Sequence, residues 1–234
     1  DEGFLKQERR PMKTRIILPD TEGISEAGAI LRDGGLVAFP TETVYGLGAN
    51  ALDAVATKRI YEAKGRPSDN PMIVHVASID MLNEVASDVT DEQKAIMSKL
   101  WPGPITFVLR KNPNVPDVTT GGLDTVAVRW PARREAAEII EAAGVPIAAP
   151  SANLSGKPSP TTFEDVAEDM DGRIDAIVKG ERTAIGIEST VLDLTSEVPT
   201  ILRPGFITKS QIEEAACCEV QYDPSLFKKP GADD

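Results

Sequence analysis

Residues 36–50 read LVAFPTETVYGLGAN, and the reading of this stretch decides the fold. It begins as an uncharged apolar run, Leu36 to Phe39, the pattern of a strand covered on both faces. Pro40 supplies no backbone donor and fixes φ, so it is expected to end the strand. A polar cluster of Thr41, Glu42, Thr43 and Tyr45 follows. Gly46 and Gly48 then either let the chain turn tightly or let another group approach the backbone. A covered strand that delivers hydroxyls and a carboxylate to a glycine-relaxed loop is a common way for α/β proteins to build a ligand site.

Outward from this stretch, apolar runs and helical patterns alternate. Strands are expected at 15–18, 72–76, 105–110, 125–130, 145–149, 174–179, 188–194, 200–202 and 218–221. Helices are expected at 25–32, from Asp53 to 63 with Val55, Ile60 and Ala63 on one face, at 78–86, at 133–143 and at 209–216. Thr90 and Gln93 form a capping-box pattern for a helix ending near Leu100, and Thr162 is placed to cap a helix to Met170. Strands this apolar leave no wet face, and several neighbours lack an intervening helix. The pattern predicts a single α/β domain with a mixed sheet flanked by helices.

Composition limits the function. The 234 residues suit one domain, and 25 Lys and Arg against 37 Asp and Glu give a net charge of −12. A surface built mainly to neutralise phosphates is therefore not expected, although a local basic cleft is compatible with that total. With one His, a His-based metal cluster is excluded. Cys217 and Cys218 are adjacent and alone, which implies no disulfide framework and a cytoplasmic setting. No apolar run approaches about 18 residues, so no membrane span is expected. Met12 resembles a natural start. Residues 1–11 are read as an extension or tag, 12–222 as the domain, and 223–234 as a flexible tail.

Familiar motifs fail on inspection. YGLGANA contains G-x-G-x-x-A, but PTETVY separates it from the strand. SGKPS lacks the upstream Gly of a P-loop. His75 sits inside MIVHV with no nucleophile elbow nearby. What remains are polar residues near strand ends: Thr43, Lys64, Arg66, Asn70, Thr125, Arg129, Ser151, Asn153, Ser159, Ser189 and Arg203. Arg129 lies inside an apolar strand and requires an anionic partner, either a protein carboxylate or a ligand. Cations flanking loops rich in hydroxyls and amides suit a phosphate-bearing ligand together with a small polar one.

Taken together, FPTETVYGLGANA, KGRPSDNPMIVHV, WPGPITFVL, DTVAVRWPA, PIAAPSANLSGKPSPT, IESTVLDL and LRPG resemble the YrdC-like family, in order from Ile24 to Gly205. The resemblance implies a twisted mixed sheet with a deep central cavity. It implies L-threonylcarbamoyladenylate synthesis from L-threonine, bicarbonate and ATP, with pyrophosphate released, for tRNA threonylcarbamoyladenosine formation. Mg²⁺ would accompany ATP, and no organic cofactor is implied. Its threonine contacts fall on Thr43, His75, Arg129, Ala149 and Ser189. Its ATP contacts fall on Arg66, Asn70, Thr125, Ser151, Ser159 and Arg203, and its catalytic set on Lys64, Arg66, Ser151 and Asn153. The expected partners extend to tRNA and a downstream threonylcarbamoyl transferase complex. Competing readings are a non-catalytic double-stranded RNA or tRNA-binding module and a carbamoyl-transfer domain of hydrogenase-maturation type. With 5% aromatics the chain is poor in stacking platforms for RNA. Acylphosphatase-like and zinc-finger segments of the second alternative have no match in the sequence.

Overall fold

The computed structural model describes residues 12–227, and the expected N-terminal extension and residues 228–234 lie outside them. The stretch at 36–50 forms a hairpin rather than a strand and a loop. Strand β2 (Val37–Pro40) pairs antiparallel with β3 (Tyr45–Asn50), which the sequence reading had as loop. Pro40 is still the last residue of its strand, and the true connection shrinks to residues 41–44. Gly48 shows why glycine belongs inside this strand. A Cβ there would lie 2.7 Å from the Phe39 ring and 2.9 Å from the Ile147 side chain. The glycine therefore serves close packing, the second of the two roles open to it.

The other strands are β1 (Arg15–Ile17), β4 (Ile73–His75), β5 (Ile105–Arg110), β6 (Thr125–Arg129), β7 (Ile147–Ala148), β8 (Ala176–Val178), β9 (Thr190–Asp193), β10 (Thr200–Arg203) and β11 (Gln221–Tyr222). They form one sheet in the order β1-β8-β2-β3-β7-β4-β6-β5-β9-β10-β11. Pairs such as β4–β6 and β5–β9 are parallel, while β3–β7 and β5–β6 are antiparallel, so the sheet is mixed as expected. β9 starts at Thr190 rather than at residue 188, which leaves Glu188 and Ser189 on the approach to the strand. β11 lies later than expected, because Cys217 caps the preceding helix in a left-handed conformation. Residues 224–227 form a single 3-10 turn, with Phe227 edge-on to the Tyr222 ring.

The helices are α1 (Thr21–Arg32), α2 (Ala54–Lys64), α3 (Ile79–Val85), α4 (Asp91–Leu100), α5 (Arg134–Ala143), α6 (Phe163–Met170) and α7 (Lys209–Ala216). Helix α1 begins four residues earlier than expected, because Asp20 accepts a hydrogen bond from the Gly23 amide at 2.7 Å. The Thr90–Gln93 capping box closes both of its bonds. Helix α2 carries a correction: Val55 is 72% exposed, and the buried face is Ala56, Ile60, Ala63 and, unexpectedly for a cation, Lys64. The helix ends at Gly65 with φ 63°, a left-handed conformation that frees the chain to turn toward residues 66–71.

Helix α1 packs on α5 and on β1, β2, β3 and β8, α2 packs on β3, and α6 packs on β8. Phe39, Tyr45, Leu47, Ile60, Phe107 and Ile139 are fully buried, each worth about 1.5–3 kcal/mol for the large apolar side chains. The Tyr45 hydroxyl is compensated for its burial by donating to the Gly180 carbonyl at 3.0 Å and accepting from its amide at 2.9 Å. Among the described residues no helix is long and apolar enough to cross a membrane.

Candidate functional site

Strands β4 and β6 run parallel in a register that sets His75 beside Arg129 at their C-terminal ends. The 41–44 connection, the segment after β7, the approach to β9 and the end of β10 close around this point. They enclose a cavity of about 270 Å³.

At one end Arg129 is only 4% exposed. Its Nη2 donates to Glu42 Oε1, and its Nη1 donates to Thr43 Oγ1 at 2.8 Å. Glu42 Oε2 accepts the Ala132 amide at 2.6 Å, so this carboxylate is held from two sides. The partner that a buried Arg demands is therefore a protein carboxylate. One donor, Arg129 Nε, is buried with no partner among the described residues. The hydroxyls beyond it have a fixed direction. Thr41 Oγ1 spends its proton on the Val44 carbonyl at 2.7 Å. It must then accept from Thr43 Oγ1, 3.0 Å away, so Thr43 accepts from Arg129 and donates to Thr41. His75 is fully enclosed next to the Arg129 charge. Burial, and then that charge, push its pKa down to about 3, so the ring is neutral. Its Nδ1 lies 3.2 Å from the Ile73 carbonyl. Ala149 borders the same space, its amide bonded to the Ile73 carbonyl at 3.0 Å. Ser189 shares a 2.7 Å hydrogen bond with Thr106.

At the other end the side chains are half in solvent. Arg203 Nε donates to the Ser189 carbonyl at 3.0 Å and Nη2 to Ser189 Oγ at 3.2 Å. Its Nη1 donates to Glu188 Oε2 at 2.8 Å. Arg66 folds the 66–71 loop onto itself, Nη2 donating to the Pro71 carbonyl at 2.8 Å, and brings Asn70 to the cavity edge. Ser151 lines the wall after β7 and forms a bridge to Gly46 of β3.

Four expected residues are not part of the lining. Lys64 is 3% exposed and stands behind the 150–155 loop. Its ammonium donates to the carbonyls of Ser151 and of Asn153, the latter at 2.7 Å. Asn153 in turn donates to the carbonyls of Leu154 and Lys157, both at 2.8 Å. These two residues shape the loop and set a positive charge behind it. Burial, then the neighbouring Arg66 charge, lower the Lys64 pKa to about 8. Ser159 reaches the cavity only through Glu188, donating to Oε1 at 3.0 Å. Thr125 opens β6 opposite Arg110, at the strand end remote from Arg129.

Glu188 was missed by sequence reasoning, and Glu42, read only as part of the polar cluster after β2, was not assigned to Arg129. Glu42 carried a usable signal, since Arg129 needed a carboxylate and Glu42 lies in a polar connection at a strand end. Glu188 carried a weaker one, an acid directly before a candidate site serine. Among the described residues no group of three or more His, Cys, Asp or Glu side chains is placed to hold a metal ion. The cavity can thus present hydroxyls and a neutral imidazole at its enclosed end and exchangeable cationic donors at its open end.

Comparison with known proteins bears on the fold and the family of the chain. The Sua5/YciO/YrdC family model, described as "Telomere recombination", matches residues 29–205. The chain is 54% identical over 219 residues to the threonylcarbamoyl-AMP synthase of Pyrococcus abyssi (strain GE5 / Orsay), covering 92% of this chain and 64% of that protein. It is 56% identical over 192 residues to the threonylcarbamoyl-AMP synthase of Bacillus subtilis (strain 168), covering 81% of this chain and 55% of that one. The crystal structure of P. abyssi Sua5 complexed with L-threonine superposes with a TM-score of 0.89 at 51% identity, covering 94% of this chain and 65% of that one. The chain thus spans less than two thirds of the length of each of these relatives. With the fold, the ordered motifs and a family match over most of its residues in agreement, the chain belongs to the Sua5/YciO/YrdC family.

Proposed function

We propose that this chain carries the catalytic site of an L-threonylcarbamoyladenylate synthase, acting on L-threonine, bicarbonate and ATP. The observation that carries the reading is the convergence of Thr43, His75, Arg129, Ala149 and Ser189 with Arg66, Asn70, Ser151 and Arg203 on one cavity. In the proposed reaction threonine's amine forms a bond to the bicarbonate carbon, a C–O bond breaks and water leaves, which gives the carbamate. A carbamate oxygen then attacks the α-phosphorus of ATP, and pyrophosphate leaves. Both reactants in the second step are anions, so positioning and cancellation of charge dominate the work.

In this reading the enclosed end takes the amino acid. Arg129 faces its carboxylate with whatever capacity Glu42 and Thr43 leave free, including the unpartnered Nε. Neutral His75 and Ser189 border its side chain. Arg66, Arg203, Asn70 and Ser151 serve the nucleotide, and Ser159 joins them through Glu188. Lys64 adds charge behind the 150–155 loop, and Asn153 fixes that loop. Mg²⁺ enters as part of the MgATP substrate and partners its phosphates. Among the described residues no side chain in the cavity combines an unengaged position with the character of a strong base, and in this reading threonine's amine enters deprotonated. The same reading takes residues 12–222 as one working unit in the cytoplasm, with the product passed to a threonylcarbamoyl transferase that modifies tRNA.

The test is pyrophosphate release from ATP with threonine and bicarbonate omitted in turn. Release that requires both supports the reading, and release indifferent to either overturns it. Arg129→Ala, checked for folding by melting curves, is expected to raise the threonine concentration that release requires.

A further inference from the structure

Among the described residues Glu188 is the one carboxylate bordering the cavity, and both of its oxygens are engaged. Oε1 accepts from Ser159 and Oε2 from Arg203, two donors that the proposed function assigns to the nucleotide. Its charge also reaches Lys64 and Arg66, where it favours the cationic forms. A carboxylate and a phosphate seek the same donors in the same manner. A phosphate oxygen arriving at Arg203 Nη1 or Ser159 Oγ must replace a Glu188 oxygen or lie beside a like charge.

We infer that Glu188 is an internal stand-in anion that keeps Ser159 and Arg203 paired in the ligand-free protein and competes with incoming phosphate for them. The competition sets a threshold. A single phosphate that displaces the carboxylate exchanges one anion for another. A polyphosphate makes the same exchange and also gains Arg66 and the field of Lys64. Because the opposing contribution is the same for every anion, it drives weak binders out of the concentration range that matters and leaves strong ones bound. Glu188 therefore sets how tightly any anion must bind to be retained, and leaves the ratio between anions unchanged. The inference rests on the cavity being the polyphosphate site.

The experiment is calorimetric titration of the whole chain with inorganic tripolyphosphate and with orthophosphate, both without Mg²⁺. Wild type is compared with Glu188→Gln and with Glu197→Gln, which removes the same charge from an exposed position in the β9–β10 connection. Melting curves establish that each variant is folded. Glu188→Gln is expected to bind both probes more tightly, on the order of fivefold, the scale of one partly exposed ion pair. Glu197→Gln is expected to match wild type. Wild-type binding with no gain in Glu188→Gln over Glu197→Gln overturns the inference and leaves the polyphosphate site standing. Weaker binding in Glu188→Gln also overturns it, making the carboxylate a support for Arg203. No tripolyphosphate binding by wild type overturns the site reading and the inference with it.

Discussion

At the enclosed end of the cavity Arg129 is paired with Glu42, their side chains 5% and 13% exposed; at the open end Arg203 is paired with Glu188, at 38% and 41%. The chemistry is the same, an arginine on a carboxylate, and the surroundings differ. Water screens the outer pair and can replace either partner, so that pair is cheap to open. The inner pair has no such substitute, and losing one member strands a charge in a poorly polarisable interior. The inner pair therefore belongs to the fold, whereas the outer pair can exchange partners at little cost to it.

Breaking the inner pair is expected to give the largest effect. Glu42→Ala should cost about 3–5 kcal/mol, read as a drop in denaturant midpoint. A loss below about 1 kcal/mol would place the two pairs in the same class and remove the contrast. Gly48→Val comes next, because its Cβ meets Phe39 and Ile147 in a packed hairpin. The expected overpacking penalty is about 1–3 kcal/mol in the same assay.

The titrating groups sharpen the contrast further. His75 stays neutral in the fold to about pH 3, while its unfolded form takes a proton below 6.5. The unfolded chain binds the extra proton, so stability falls as pH drops from 6.5 toward 3, by up to about 1.4 kcal/mol per pH unit. Denaturant melts across that range check the slope, and His75→Asn is expected to flatten it. Lys64, whose lowered pKa makes stability rise with pH above about 8, acts on binding as well. It loses its proton as pH rises through about 8, so tripolyphosphate affinity should fall above that point, by up to about tenfold per pH unit. Lys64→Arg, if it folds, should show no such inflection in calorimetry. The smallest effect on stability belongs to the outer pair. Arg203→Ala should shift the unfolding free energy by less than about 1 kcal/mol while tripolyphosphate binding is lost.

Much of the fold was legible because its signals are local. The Thr90–Gln93 box, the Asp53 cap and the apolar runs of β5 and β6 each depend on neighbours in the chain. The second strand of the hairpin was not legible. Gly46 and Gly48 look like a turn until Phe39 and Ile147 are seen to need the room. Val55 and Lys64 exchanged their expected places for a similar reason. Burial of Lys64 depends on carbonyls of Ser151 and Asn153, nearly ninety residues away, which no helical periodicity reveals. In the site, the requirement of Arg129 for an anion was readable from the cost of isolating a charge. The identity of that anion depended on the 41–44 connection folding back over β6. Glu188 was harder still, because a carboxylate among phosphate donors runs against the expectation of a basic cleft.

The fixed direction of the hydroxyl chain has a consequence for anything that enters. Thr43 Oγ1 already receives a proton from Arg129 and gives its own to Thr41. It has one lone pair left and no hydrogen to offer. At this point of the wall a guest is met only as a proton giver: an alcohol or an ammonium group finds a partner, and a bare carbonyl or carboxylate oxygen finds none.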